Sequence, residues 1–137
     1  MPRIFRIMKK DADDRPAIGQ TATTLGARPG YDFDLDAQGN VIVNGKGMSV
    51  NPRWQDADVL FVPKRLGTGG RGSNTSHCFR RGAGPFQQGP CGAGLELIPD
   101  SPNDPTHGVV GPAQLAPMAQ YEADLHATRL EWEVDET

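Results

Sequence analysis

Pro117-Met118-Ala119-Gln120-Tyr121-Glu122-Ala123-Asp124-Leu125-His126-Ala127-Thr128 is the stretch on which the fold class turns. Met118, Tyr121 and Leu125 recur at the spacing of one helical face, and Ala119 and Ala123 favour helix. Pro117 suits a first helical position, where its missing N–H breaks no bond. The helix is expected to end near Thr128. Directly after it, Leu130, Trp132 and Val134 alternate with Glu131, Glu133 and Asp135, the period-2 pattern of a strand with one wet face. Trp132, on the apolar side of that pattern, is predicted to pack in the core.

Upstream of this helix the chain reads as short strands and turns. Arg3 to Lys9 predicts a strand with Ile4, Arg6, Met8 and, just beyond it, Lys10 on one face and Phe5 and Ile7 on the other. Asp32 to Asp36 and Val41 to Asn44 predict a hairpin turning at Gly39 and Asn40. Gly47 to Val50 predicts a further strand, and Val59 to Val62 a buried one stopped by Pro63. His77 to Arg80, Leu95 to Ile98 and His107 to Val110 complete the set, and the glycine- and proline-rich run between the first two reads as irregular loop. Many strands with one good helix point to α+β, or mainly β. No internal repeat and no long linker divides the chain, so residues 1–137 are expected to form one domain. A chain of that length can bury roughly two-thirds of its unfolded surface without staples.

Composition excludes several classes. The net charge is −3, so no overall basic surface is available to displace counterions from nucleic acid, and sequence-specific nucleic-acid binding is not expected. No apolar run approaches the ~18 residues of a membrane span. The first ten residues are too short and too charged for a signal peptide, which predicts a cytoplasmic protein. The two cysteines, Cys78 and Cys91, form no C-x-x-C and read as reduced thiols.

Several motifs match in letters but not in context. Gly67, Gly69 and Gly72 spell G-x-G-x-x-G, yet no helical pattern follows them, and Ser73 stands where a P-loop needs lysine. They read as a flexible surface loop. Asp32, Asp34 and Asp36 begin like a calcium loop, but Ala37 and Val43 occupy the positions that need Gly and Glu. His77, Cys78, Cys91, His107 and His126 match no ligand spacing, so no metal site is predicted. His126, four residues after Glu122, reads as half of a surface pair. Arg6 sits mid-strand between apolar neighbours, where an arginine is either paired in the core or facing a cleft. Ser49, at the end of a short strand, could cap it or line a pocket.

Phe5-Arg6 with Lys10 four residues on, Gly47-Met48-Ser49-Val50, and the series Leu95, Leu97, Asp100-Ser101, Thr106-His107, Pro112, Pro117-Met118 and Leu125 run through most of the chain. Together they resemble the type VI secretion effector toxin family with an ADP-ribosyltransferase-like fold. The resemblance implies two packed, mainly antiparallel β-sheets, one main helix in the C-terminal half, and a cleft for NAD as substrate. It implies a toxin acting in the cytoplasm of a target cell, delivered by a contact-dependent secretion system and neutralised by a cognate immunity or antitoxin protein. It assigns Arg6, Lys10 and Ser49 to the dinucleotide and Arg6, Ser49 and His107 to catalysis. Thr106-His107 stands where the wider transferase class often has Glu, and imidazole supplies no fixed negative charge. Glu96 or Asp100 is the nearby carboxylate for that role.

Arg6, Ser49 and His107 lie on three separate predicted strands and are expected to converge on one cleft. The alternatives are a ribonuclease-type toxin using Arg6, Lys10 and His107 with a patch including Arg80 and Arg81, and a non-catalytic partner-binding domain.

Overall fold

The computed structural model describes residues 1–137 and is α+β. In chain order it contains β1 (Ile4–Lys9), β2 (Asn40–Val41), β3 (Met48–Val50), β4 (Ser76–Arg81), β5 (Gly89–Gly92), β6 (Leu95–Asp100), β7 (Asp104–Pro112), β8 (Ala116–Pro117), α1 (Met118–His126) and β9 (Glu133–Val134). Two larger sheets, β1-β4-β9 and β3-β7-β6-β5, are antiparallel throughout, and β2 pairs with β8 as a two-residue ribbon. No helix is long and apolar enough to cross a membrane.

Strand β1 is covered on both faces, as its mixed pattern requires. Ile4 and Met8 enter the larger core with Val50, Phe79, Leu97, Tyr121 and Trp132. Phe5 and Ile7 enter a smaller cluster with Trp54, Val62 and Cys78. The two large sheets are stitched together where Phe5 N donates to Asn51 O (2.8 Å) and Asn51 N donates to Phe5 O (2.9 Å). That bridge brings Arg6 of β1 beside the end of β3.

The helix closes the other side of the same junction. Tyr121 is fully buried, and its ring packs edge-on against Phe33 with centroids 5.3 Å apart. Its hydroxyl donates to Val110 O (2.6 Å) and accepts from Met48 N (3.1 Å), so it pins the first rung of the β3–β7 pair. Burial raises the phenol's pKa, which keeps that O–H a donor. Gly47 precedes this rung because a Cβ there would lie 2.4 Å from Val110 O.

Some elements differ from their sequence patterns. Val59 to Val62 is a turn, not a buried strand: Val59 and Leu60 are exposed and only Val62 enters the core. In the glycine run that follows, Gly67 and Gly69 are exposed as a surface loop should be, whereas Gly70 and Gly72 pack against the preceding turn. The run folds back on that turn through Gly72 N to Val62 O (2.8 Å), and a Cβ on Gly72 would meet Phe61 O at 2.2 Å. The hairpin expected at 32–44 shrinks to one Leu35–Val41 bridge, with β2 pairing instead to β8. Gly89–Gly92, read as loop, is an edge strand carrying a proline. Trp132 is buried in the core, but the strand from 130 to 134 is only Glu133–Val134; residues 129–131 form a 3-10 turn that leaves Leu130 exposed. Glu122 is not a surface residue: it is buried under the 20–27 loop and accepts Ala27 N (3.3 Å).

Candidate functional site

A cleft of about 330 Å³ opens at the junction of the two large sheets. Arg6, Ser49 and His107 all line it, from β1, β3 and β7. The β3–β7 register explains two of them. Ser49 faces Val109 across the pair, and His107 lies two residues before Val109, so the two side chains are diagonal neighbours on one face.

Arg6 forms the floor. Its guanidinium is buried and binds backbone carbonyls rather than a carboxylate. Nε donates to Thr24 O (3.1 Å), Nη1 to Ser49 O (2.8 Å), and Nη2 to Thr21 O (3.1 Å), Thr24 O (3.0 Å) and Gly26 O (3.3 Å). This satisfies neither expected role in its simple form. The side chain staples the 21–26 loop to β3, and one Nη1 proton is left over from its five donors. Burial pulls its pKa down to about 10, against an opposing pull from Asp32, so the group stays cationic at neutral pH.

His107 is held from behind. Its Nδ1 lies 2.5 Å from Asp100 Oδ2, and an ionised carboxylate only accepts, so Nδ1 carries the proton. The unprotonated Nε2 is then the ring nitrogen left for the cleft. Ser49 Oγ has no hydrogen bond to another protein group, while the neighbouring Asn51 Nδ2 donates to Thr106 O (2.7 Å) and Asp56 O (3.2 Å).

The cleft carries both signs of charge. Arg6, Arg28 and Asp32 are electrostatic neighbours, with Arg28 gripping Asp32 through Nε (3.1 Å) and Nη2 (3.1 Å). Asp56, Asp58 and Asp104 also line it, and Asp104 is an electrostatic neighbour of His107. Hydrogen bonds from Thr106 Oγ1 (2.6 Å) and Thr106 N (2.9 Å) hold the Asp104 carboxyl below its usual range. Asp58 accepts only Leu60 N (2.9 Å), a turn contact, and Asp56 pairs with Arg53 (3.1 Å). Sequence reasoning missed these three. Asp56 and Asp58 flank the segment misread as a strand, and no periodicity tells which turn residues face inward.

Other candidates lie elsewhere. Lys10 is not at this cleft, which corrects its grouping with Arg6 and Ser49. At the exposed end of β1 it pairs with Asp14 (2.9 Å) and borders a second, shallower concavity with His77, Glu133 and Glu136. Arg80 binds Asp135 (2.9 Å), and the buried Arg81 binds Cys91 O and Glu131 (3.2 Å), so neither forms a free basic patch. Glu96 does not line the cleft, and Asp100 is committed to His107. Asp34 binds Lys46 (3.0 Å), and Asp36 caps the turn through Gln38 N (2.9 Å) and Asn40 N (2.9 Å). Both thiols are buried, with pKa values pushed up by burial to about 12 for Cys78 and about 11 for Cys91, so neither is a nucleophile.

Comparison of the chain with protein-family models, with curated proteins and with solved structures returns no match.

Proposed function

We propose that the chain is a bacterial toxin domain of the type VI effector kind, which acts in the cytoplasm of a target cell. It consumes NAD with ADP-ribosyltransferase-like chemistry and is neutralised by a cognate immunity protein. The observation that carries this reading is the mixed charge of the cleft around a free hydroxyl. Arg6 and Arg28 line it together with Asp32, Asp56, Asp58 and Asp104, the last an electrostatic neighbour of His107, and the Ser49 hydroxyl is unengaged. NAD carries both kinds of charge. Its pyrophosphate is anionic, and its nicotinamide riboside end is a cation whose ribose gains positive charge as the glycosidic bond loosens.

In this reading the Arg6 charge and its remaining Nη1–H face the pyrophosphate. Ser49 Oγ orients the nicotinamide amide or the ribose. The missing transferase Glu is replaced by the field of Asp58 and Asp104, fixed in place before the charge develops. The ribonuclease alternative gains nothing comparable, because carboxylates beside His107 repel a phosphodiester and Lys10, Arg80 and Arg81 lie off the cleft.

Two measurements test the proposal. Induced wild-type protein should arrest growth, and purified protein should release nicotinamide from NAD. Ser49→Ala removes one ligand hydrogen bond worth about 1–1.5 kcal/mol, so release should fall roughly tenfold with Tm unchanged. Wild type that neither arrests growth nor releases nicotinamide sinks the reading.

A further inference from the structure

We infer that His107, held by Asp100, is the general base of this cleft, and that the acceptor it activates is a hydroxyl group, which in the purified protein is water. The inference rests on the NAD reading above. It starts from one geometric fact: Asp100 Oδ2 lies 2.5 Å from His107 Nδ1, and His107 lines the cleft whereas Asp100 does not.

A general base needs three things: a proton-accepting atom facing the substrate, a partner that places the ring's own proton on the other nitrogen, and access for the nucleophile. Asp100 supplies the second by accepting the hydrogen bond from Nδ1–H. Asp100 sits at the end of β6, paired with Asp104 at the start of β7, so the same hairpin fixes carboxylate and imidazole. His107 is about one-third exposed (32%), which leaves room for water at Nε2. Its position next to Asp104 and diagonal to Ser49 puts that nitrogen beside the groups assigned to the ribose.

The choice of a hydroxyl follows from what a base is for. A thiolate or carboxylate acceptor arrives ready to attack, whereas a hydroxyl oxygen is a weak nucleophile until its proton is taken. The step balances without any co-reactant. The C1′–N glycosidic bond breaks and its electron pair leaves with nicotinamide. The water oxygen supplies the pair for the new C1′–O bond, and its proton passes to His107 Nε2. NAD and water give ADP-ribose, nicotinamide and a proton. Asp100 touches none of the reacting atoms and is a positioning residue.

The test follows free ADP-ribose and nicotinamide together in purified wild type, His107→Ala and Asp100→Asn, with Tm measured for each. His107→Ala should lower ADP-ribose formation about a hundredfold or more, the usual span of general-base catalysis. Added imidazole should restore part of it, which a purely structural histidine would not permit. Asp100→Asn should lower turnover about tenfold or more with little change in KM. It should also shift the ¹⁵N signals of His107 from the Nδ1–H tautomer of wild type toward Nε2–H. Imidazole rescue and the nitrogen signals keep the test decisive even if one variant folds poorly. Nicotinamide release that is indifferent to His107→Ala, or ADP-ribose that ends on protein rather than on water, overturns this inference alone. Wild type that releases no nicotinamide overturns it together with the NAD reading.

Discussion

The molecule has two concavities rich in charge, and they differ in how those charges are used. In the second, most charges are matched by other side chains: Lys10 with Asp14 (2.9 Å), Asp13 with Arg129 (2.7 Å), and Glu136 with the adjoining Arg65 (2.7 Å) and near His77 (3.7 Å). Burial lowers the His77 pKa, so this histidine is neutral near pH 7 and makes a weak partner. In the first, Arg6 is held by backbone carbonyls and His107 by Asp100, and valences remain: one Arg6 N–H, the Ser49 hydroxyl, His107 Nε2. A concavity that satisfies itself is surface, whereas one whose groups are fixed yet incompletely satisfied is prepared for a ligand. Richness in charge does not separate the two; the direction from which each charge is held does.

The largest expected effect breaks the first cleft outright. Arg6→Ala strips the hydrogen bonds from Thr21, Thr24, Gly26 and Ser49 carbonyls, most of them buried. Leaving buried acceptors unpaired costs about 1–3 kcal/mol each before relaxation, so a net loss of about 3 kcal/mol is expected. For a chain of this size that lowers Tm by roughly 10 °C. Circular dichroism melts of the purified variant read it. A variant as stable as wild type would mean that the 21–26 loop does not depend on this staple, and the contrast with the second concavity would collapse.

A moderate effect concerns the back of the same loop. Glu122 holds Ala27 N, yet Glu122 Oε2 has no hydrogen bond, and His126 Nε2 lies 3.4 Å away. Burial raises the Glu122 carboxyl above its ordinary 4.5 and lowers His126 below 6.5. A carboxyl whose folded pKa is raised favours the fold most when protonated, so its contribution is lost as pH rises from 4.5 through the folded value. Glu122→Gln keeps an acceptor and removes the charge. It should therefore raise Tm by a few degrees at about pH 7, with the gap closing as pH falls toward 4.5. His126 works in the same direction: its lowered pKa makes the neutral form part of the fold, and protonating it below 6.5 costs the variant more once the carboxylate is gone. A variant less stable than wild type at pH 7 would mean that Glu122 is an ion pair in the fold and not a strained wall.

The smallest effect belongs to the second concavity. Lys10→Ala removes one exposed i,i+4 pair and should change stability by less than about 0.5 kcal/mol. Nicotinamide release should equal wild type, since Lys10 is not on the cleft. A tenfold loss of release in this variant would reunite Lys10 with Arg6 and Ser49 and erase the distinction drawn between the two concavities.

The sequence by itself determined the elements whose signal is local. The helix at 118–126 follows from Tyr121 and Leu125 at one-face spacing, and β1, β4, β6 and β7 from short apolar runs between turn residues. The burial of Trp132 was legible too, although its strand was not. Leu130 to Val134 alternates as a strand should, but a 3-10 turn at 129–131 swings Leu130 to solvent, because pairing with β4 begins only at Glu133. Arg6, Ser49 and His107 could be named as candidates from residue type and position in a strand. Only the tertiary structure decided what each one does. Periodicity reports which face of an element is apolar, and it carries no information about what arrives opposite the polar exception. Arg6 meets four carbonyls from segments up to 43 residues away, His107 meets a carboxylate across a hairpin, and Asp56, Asp58 and Asp104 meet at a cleft whose walls belong to two sheets. The energies that fix those meetings are hydrogen bonds and burial between distant segments, set by register and loop closure, and they exist only once the chain is folded.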